Sequence, residues 1–432
     1  MENTGRKELR RDFLKAASVV AAPAVIRAQT VTNAIKVGLV GAGGRGSGAA
    51  AQAMKADDYS ELTAVADVSV DQINNSLTRI ARAAGPRGIE KVKVLEGNKY
   101  LGYEAYQKVI DSDIDVVILA TPPGFRPYHL RYAIEKKRHV FCEKPMAVCP
   151  TGIRHVLESV RLSKTTGKSL VAGFNWRYSN YITQLFEQLH NGIIGDVVAY
   201  YATYYSSPVK PIPPGTLKPL GMSDVEWQTR YWYNFVWTCG GGFVEQCVHS
   251  VDKVAWAMKE QPPVSCVANA GRAYPAVAGT NIHDHIEANY LYPNGVRAFI
   301  AHRHYVGCHN ENADYILGTK GKIRIGRGPM PVVEDHQGKT LWAFEGQKND
   351  PYQYEHDVLF QSIRKNQPVN NGDRMIHSTA LAIMGRLAGD TGAEVTWDQL
   401  MNSKEATFPD PFDPKGKLPE VPVAVPGIRK LV

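Results

Sequence analysis

The chain has no uninterrupted apolar run approaching the roughly twenty residues that cross a bilayer, so a membrane-spanning protein is set aside. It has little charge of one sign: 50 Lys and Arg against 42 Asp and Glu give +8. Three of those charges belong to residues 1–29 (Arg6, Lys7, Arg10, Arg11, Lys15 and Arg27 against Glu2, Glu8 and Asp12), leaving +5 for the rest. That excess is too small to mark a nucleic-acid surface. The six cysteines (Cys142, Cys149, Cys239, Cys247, Cys266, Cys308) form no CxxC and no metal-like pairing, and read as small buried hydrophobes. No segment repeats, which excludes solenoids. What is present is ordinary for a globular enzyme, with 44% hydrophobic and 21% charged residues. A length of 432 residues exceeds one core, so two domains plus extensions are expected.

Residues 1–29 read as an address. Arg10-Arg11-Asp12-Phe13-Leu14-Lys15 precedes the mild apolar stretch Ala16–Ala22, the order of a twin-arginine export signal. Leu9 stands where Ser or Thr is usual, and Ile26-Arg27-Ala28 is a poor cleavage site; a basic amphipathic helix is the plainer alternative. The expectation is a protein exported folded, periplasmic or secreted, with its thiols buried before they leave the reducing cytoplasm.

Beyond the address, the strand-like Ile35–Val40 runs straight into Gly41-Ala42-Gly43-Gly44-Arg45-Gly46 and a helical stretch, Ser47 to Lys55. This is the context a dinucleotide fingerprint needs. Gly41 permits the tight turn, Gly43 lets the backbone approach a pyrophosphate, and Gly46 lets helix and strand pack closely, while the helix N-terminus offers N–H groups to phosphate. A second strand, Glu61–Ala66, ends in Asp67, 21 residues after Gly46. A carboxylate there accepts from a ribose 2′-hydroxyl and repels a 2′-phosphate, so NAD is expected over NADP. Helix Glu104–Ile110, strand Val116–Ala120 closing at Thr121-Pro122-Pro123, helix Tyr128–Lys137 and strand His139–Cys142 leading to Glu143-Lys144-Pro145 continue the alternation of a parallel α/β sheet.

Taken in order, Gly41–Gly46, Asp67, Thr121-Pro122, Glu143-Lys144-Pro145, Gly173-Phe174-Asn175-Trp176-Arg177-Tyr178 and Gly240–Asp252 resemble the glucose–fructose oxidoreductase, inositol dehydrogenase and MocA (Gfo/Idh/MocA) family over about residues 33–400. The resemblance implies an N-terminal Rossmann domain (30–150) and a C-terminal α/β domain (151–407) with a large open, mostly antiparallel sheet, followed by a Pro-rich arm (408–432). It also implies a homo-oligomer, dimer or tetramer. By the family's pattern Lys144 orients the substrate and polarises the reacting C–OH, and His249 is the acid/base. Glu245 stands where an Asp is usual, and extra length at Gly124-Phe125-Arg126-Pro127 unsettles any carry-over to His129. The cofactor-binding set implied is Gly41, Gly43, Gly44, Arg45, Gly46, Asp67, Thr121, Pro122, Glu143 and Lys144; the substrate-binding set is Arg177, Tyr178, Asp252 and Trp232. No metal is required.

The chemistry of these residue types agrees. Removing hydride from a secondary alcohol needs a base for the hydroxyl proton, and imidazole titrates nearest neutral pH. Glu245, His249 and Asp252, at i, i+4 and i+7, are expected on one face of one helix, where the carboxylate fixes the imidazole tautomer and raises its pKa. A lysine ammonium stabilises a developing alkoxide.

Further along, Val197–Tyr205, Val264–Ala270, His283–Tyr290, Arg297–His304 and Lys322–Ile325 read as strands, with a turn at Pro293-Asn294-Gly295 and a loop over Pro208–Gly221. His283, His285, His302 and His304 alternate on two neighbouring strands; same-face imidazoles can bind a transition metal, though most are sheet-surface residues. The aromatic stretch Trp227–Trp237, with Arg230, suits a sugar face, a subunit interface or a core equally. Pro351–Lys365 reads as a helix, His377–Thr391 as a second one packing back on the Rossmann side, and the prolines from Pro409 on as an extended arm crossing a neighbouring subunit. The function expected is an NAD-dependent oxidoreductase of a sugar, sugar derivative or polyol, with the cofactor held tightly because no NAD pool exists outside the cytoplasm. An NAD-dependent glycoside hydrolase of the same superfamily is the alternative. It shares a Gly-Gly-Arg-Gly loop but replaces the lysine retained here as Lys144.

Overall fold

The computed structural model of the protein describes residues 33–274, 279–326 and 330–432; the expected export segment 1–29 lies outside them. Apolar β-branched runs alternating with helices build a six-stranded parallel sheet of β1 (Ile35–Val40), β2 (Ser60–Asp67), β3 (Lys99–Leu101), β4 (Val116–Leu119), β5 (His139–Cys142) and β6 (Leu170–Ala172). The spatial order is β3-β2-β1-β4-β5-β6, all neighbours parallel. Val116, Val117, Ile118 and Leu119 of β4 are all fully buried, as a strand covered on both faces requires. This order carries Gly41, Asp67, Thr121 and Glu143 to the carboxyl ends of adjacent strands, where doubly wound sheets bind ligands. The sheet does not end near residue 150. Helix Pro150–Ser163 is the crossover to β6, so the parallel unit runs through Ala172.

A second sheet has nine strands: β7 (Val197–Ser206), β8 (Ser265–Gly271), β9 (His285–Leu291), β10 (Arg297–His304), β11 (Glu311–Gly318), β12 (Gly321–Gly326), β13 (Val332–Asp335), β14 (Thr340–Ala343) and β15 (Val395–Thr396). Their order is β14-β13-β12-β11-β7-β10-β9-β8-β15, antiparallel except for β7 beside β10. The fold is therefore a Rossmann unit joined to an α/β unit with an open, mostly antiparallel sheet. The β9–β10 hairpin closes where expected, Gly295 N–H donating to the Tyr292 carbonyl at 2.9 Å. Its register corrects the same-face arrangement of histidines. His285 pairs with Arg303, and His302 with Ile286, so His285 lies on the face opposite His302 and His304. Among the described residues no cluster of three or more His, Cys, Asp or Glu is arranged to hold a metal ion.

Helix Gly372–Thr391 joins the two units. Ala380, Leu381, Ala382, Ile383 and Met384 are all buried in succession, so it is packed on every side. Tyr290 of β9 donates to its Leu381 carbonyl at 2.7 Å, while the Met146 N–H and the Ala172 N–H reach Thr379 and Asn371 from the Rossmann side. Among the described residues no helix is long and apolar enough to cross a membrane.

The Pro-rich arm is anchored on its own chain at its start. Phe408 and Phe412 stack at 5.2 Å and pack edge-on against Phe125 at 5.4 and 5.7 Å, in one cluster with Trp227, Phe235 and Trp237. The prolines forbid regular structure, but the apolar side chains between them still find a surface to bury. Behind the arm, Arg386 is 2% exposed and bridges Asp390, at 2.6 Å, and Glu405. Removing one partner of a buried ion group strands the others. Arg386→Met should therefore lower the unfolding free energy by about 3 kcal/mol or more in a urea titration; a change within a few tenths would contradict this account of how the C-terminal segment is held.

Candidate active site

The glycine loop after β1 is shaped by two contacts. Gly41 has φ +93°, and a Cβ there would stand 2.7 Å from the Ala120 and Thr121 backbone; a Cβ on Gly46 would lie 1.9 Å from the Gly41 carbonyl oxygen. A Cβ at Gly43 or Gly44, in contrast, would meet nothing within 4 Å. Helix Gly44–Ala56 therefore begins over open space with no side-chain cap, its first N–H groups free for an anion. Asp67 closes the loop from the end of β2, accepting from Ala42 N–H at 2.7 Å and Ser69 N–H at 3.0 Å. Burial pushes its pKa up, against those backbone donors. An uncapped helix end, an open cradle and a carboxylate beside it fit a dinucleotide, with the loop amides for its pyrophosphate and Asp67 for a ribose hydroxyl.

A cavity of about 610 Å³ opens from this edge toward the second sheet. Ala120, Thr121, Glu143 and Lys144 line it from the Rossmann strands, and Glu245, Gln246, His249 and Lys253 from the second unit. Lys144 and His249, from separate parts of the chain, thus share one chamber. The Lys144 ammonium donates to the Glu245 carbonyl and, at 2.8 Å, to its carboxylate; both side chains are nearly closed to water. Gln246 donates to the other carboxylate oxygen and accepts from Tyr204 at 3.1 Å, so the glutamate is held on both sides.

The expected single helix face is corrected. Glu245 ends a one-turn helix, Gly242–Glu245, and a new helix begins at Val248 and runs to Ala257. The break leaves the Glu245 carbonyl for Lys144, because His249 N–H bonds Gln246 instead. His249 and Lys253, one turn apart, face the cavity; Asp252 points away, accepting from Arg177 through both oxygens at 2.9 Å and from Ser378 at 2.7 Å. The effect on the imidazole is also opposite to expectation. Burial, then the charges of Lys144, Lys253 and Arg45, pull the His249 pKa well below its ordinary value, since Glu245 is already neutralised by Lys144. His249 Nδ1 is buried without a hydrogen-bond partner, so Nε2 is the nitrogen that meets the cavity.

Three expected substrate ligands prove structural. Arg177 and Asp252 form a buried ion pair that also holds Glu260 at 2.7 Å, with Trp256 stacked on the guanidinium. Tyr178 is buried, donating to Asn371 at 2.5 Å and accepting from Arg374 at 3.0 Å. The 3₁₀ turn Asn175–Tyr178 swings successive side chains by about 120°, so Trp176 enters the cavity while its two successors turn away. Trp232 does line the cavity, stacked on Tyr233 at 3.7 Å, whereas Arg230 is exposed and outside its wall. Pro122 also stays out of the wall and only turns the chain, accepting from Phe125 N–H. Arg45 reaches in, pairing with Glu143 and, at 3.0 Å, with the fully buried Glu355, under the Tyr352 ring. His129 is buried against Thr121 at 3.1 Å, its pKa pulled down to about 3 by burial and by Arg126.

Sequence reasoning missed Lys253, Arg126, Tyr352 and Glu355. Lys253 had a signal, lying one turn after His249. Its ammonium is buried on Asp314, whose other oxygen accepts from Tyr200 at 3.2 Å.

Residues 35–174 match the model of the GFO/IDH/MocA oxidoreductase family with its NAD-binding Rossmann fold, and residues 182–324 match the GFO/IDH/MocA C-terminal domain. Myo-inositol 2-dehydrogenase of Thermotoga maritima is 21% identical over 340 residues, 77% of this chain and 90% of the relative. Among solved structures, aldose–aldose oxidoreductase of Caulobacter crescentus, in complex with glycerol, superposes with TM-score 0.65 at 18% identity, covering 84% of this chain and 100% of that one. Levoglucosan dehydrogenase, in complex with NADH and levoglucosan, gives 0.65 at 16%, covering 84% and 99%.

The cationic surroundings of His249 make a direct prediction. In a nitrogen-15 histidine NMR titration its ring should be neutral at pH 6.5, the ordinary midpoint, and Lys144→Met should move its midpoint upward. A ring already half protonated at pH 6.5 in the unaltered protein would refute the electrostatic account.

Proposed function

The chain belongs to the GFO/IDH/MocA oxidoreductase family, and on that premise we propose that it moves a hydride between a tightly held NAD and a hydroxyl-bearing carbon of a sugar, sugar derivative or polyol. One observation carries the reading: Lys144 and His249, contributed by different units, line one cavity that opens at the carboxyl edge of the dinucleotide sheet. The loop Gly41–Gly46 and Asp67 would hold the dinucleotide, with Ala120, Thr121, Glu143 and Lys144 along its path to the cavity. When bound, a nicotinamide supplies hydride acceptance at carbon.

The protein supplies proton chemistry and position. His249, kept neutral by its cationic neighbours, takes the hydroxyl proton through Nε2. Lys144, fixed by Glu245, donates to the oxygen as it gains negative charge, in a chamber where water is scarce and the interaction correspondingly stronger. Glu245 sets the ammonium's position and is engaged by it, while burial and the nearby cations disfavour a protonated His249, so the ring is poised to receive a proton and not to keep it. Trp176, Trp232 and Tyr233 offer ring faces to the C–H faces of a sugar. Asp67 favours NAD by repelling a 2′-phosphate. The twin-arginine-like segment supports export in folded form. In an exported enzyme the residues that would hold the dinucleotide, Gly41–Gly46 and Asp67, would have to retain it between turnovers, so that one carbohydrate would be oxidised and released before a second is reduced at the same residues.

NAD(H) should co-purify with the protein and be visible by its reduced-form absorbance after sugar addition; protein recovered empty, needing fresh NAD at each cycle, would count against retention. Lys144→Ala and His249→Ala should each cut turnover about a hundredfold or more while the bound dinucleotide stays in place. A near-normal rate in either variant defeats the assignment.

A further inference from the structure

The walls of the cavity carry more positive than negative charge, and the pairing of those charges is uneven. Arg45, Arg126, Lys144, Lys253 and Lys348 line it, against Glu143 and Glu245. Three of the cations are matched: Arg45 by Glu143 and Glu355, Lys144 by Glu245, and Lys253 by Asp314 behind the wall. Among the described residues neither Arg126 nor Lys348 forms an ion pair; Arg126 donates to backbone carbonyls and Lys348 sits over the Tyr181 ring. Arg126 is 2% exposed, and its guanidinium donates only to the backbone carbonyls of Thr121 and Pro145 while its Nε is buried with no partner. The acids acting on it, Glu143 and Glu245, are already paired with Arg45 and Lys144, so the guanidinium adds positive charge to the wall. Lys348 stands at the exposed rim, its ammonium 4.9 Å from the Tyr181 ring centroid, beside Asn312 and Asn349. A cleft of one sign with low-dielectric walls concentrates ligands of the other.

We infer that the carbohydrate this cavity takes carries an acid group, so that the substrate class is a sugar carboxylate, with Lys348 at the rim meeting the carboxylate and Arg126 contributing its field from the wall. The inference rests on the oxidoreductase reading and narrows it. A monoanion suits the surplus. The Arg45, Lys144 and Lys253 groups already contain their own carboxylates, so a dianionic phosphate would overshoot what two unmatched cations offset once one of them is confined behind backbone carbonyls. The acid group and the reacting hydroxyl then occupy different ends of one chamber, because Lys144 and His249 are committed at the inner end.

The test uses the protein with its bound cofactor and matched pairs of sugars: glucose with glucuronate, galactose with galacturonate, mannose with mannuronate, and glucose 6-phosphate as the phosphate arm. Binding is read from fluorescence of the cavity tryptophans, Trp176 and Trp232, and turnover from cofactor reduction. At least one uronate should bind about tenfold or more tightly than its neutral partner, and added NaCl should erode that preference. Lys348→Met should reduce the acid-to-neutral ratio about tenfold, and Lys348→Glu further. Neutral sugars binding as well as their acids in every pair would overturn the inference, as would a preference insensitive to both salt and Lys348→Met, or a clear preference for the phosphate. If neutral sugars bind and reduce the cofactor with no acid preference, the oxidoreductase reading survives alone; if no sugar of either kind binds, both fall.

Discussion

Lys144 and Glu245 lie 101 residues apart in the chain and meet in an ion pair closed to nearly all water. The arrangement of the cavity depends on that contact. Lys144 stands at the end of β5, just outside the parallel sheet; Glu245 ends a one-turn helix belonging to the other unit. Bringing them together sets the distance between the dinucleotide edge and the helix that bears His249. It also pairs Glu245 with a cation, and the charges acting on His249 are those of Lys144, Lys253 and Arg45. A buried ion pair of this kind adds little net stability, because desolvating both groups costs about what their attraction returns. What it provides is geometry, since either charge without the other would be expensive to bury.

The same logic recurs around the chamber. Arg45 is clasped between Glu143 and Glu355, Lys253 between Asp314 and the Trp176 ring, and Arg177 between Asp252 and Glu260. Each group ties elements from distant stretches: Glu355 lies 310 residues from Arg45. The site is thus positioned by a set of internally matched charges instead of by apolar packing alone. Unmatched Arg126 and Lys348 stand out against that background, and they bias the chamber toward an anionic guest. Aromatic residues complete the wall, while their neighbours Trp227, Phe235 and Trp237 serve a separate apolar cluster that also binds down the C-terminal arm.

Much of the first unit was legible in the sequence because it is built from local signals. Hydrophobic runs, a glycine spacing and a carboxylate at a fixed offset are consequences of how one βαβ unit packs, and β1, β5 and the glycine loop fall where those signals put them. The second sheet was less legible. β11 (Glu311–Gly318) opens with Glu-Asn and carries Asp314, residues disfavoured in strands, and is fixed by its pairing with β7 and β12. The substrate residues show the same limit at finer scale. Arg177 and Asp252 are charged, adjacent to the right motifs, and nevertheless bound to one another in the core.

The sequence by itself determined the dinucleotide loop, the carboxylate that follows β2, and the identity of the lysine and histidine that share the cavity, because each depends on a few residues close together in the chain. Only the tertiary structure decided which way the charges face. A helix interrupted between Glu245 and Val248 sent Glu245 to Lys144 and Asp252 to Arg177, and so lowered the His249 pKa that a continuous helix would have raised. The physical reason is that a charge's effect is set by its nearest counter-charge and by its access to water, and both are properties of three-dimensional neighbours that spacing along a chain does not specify.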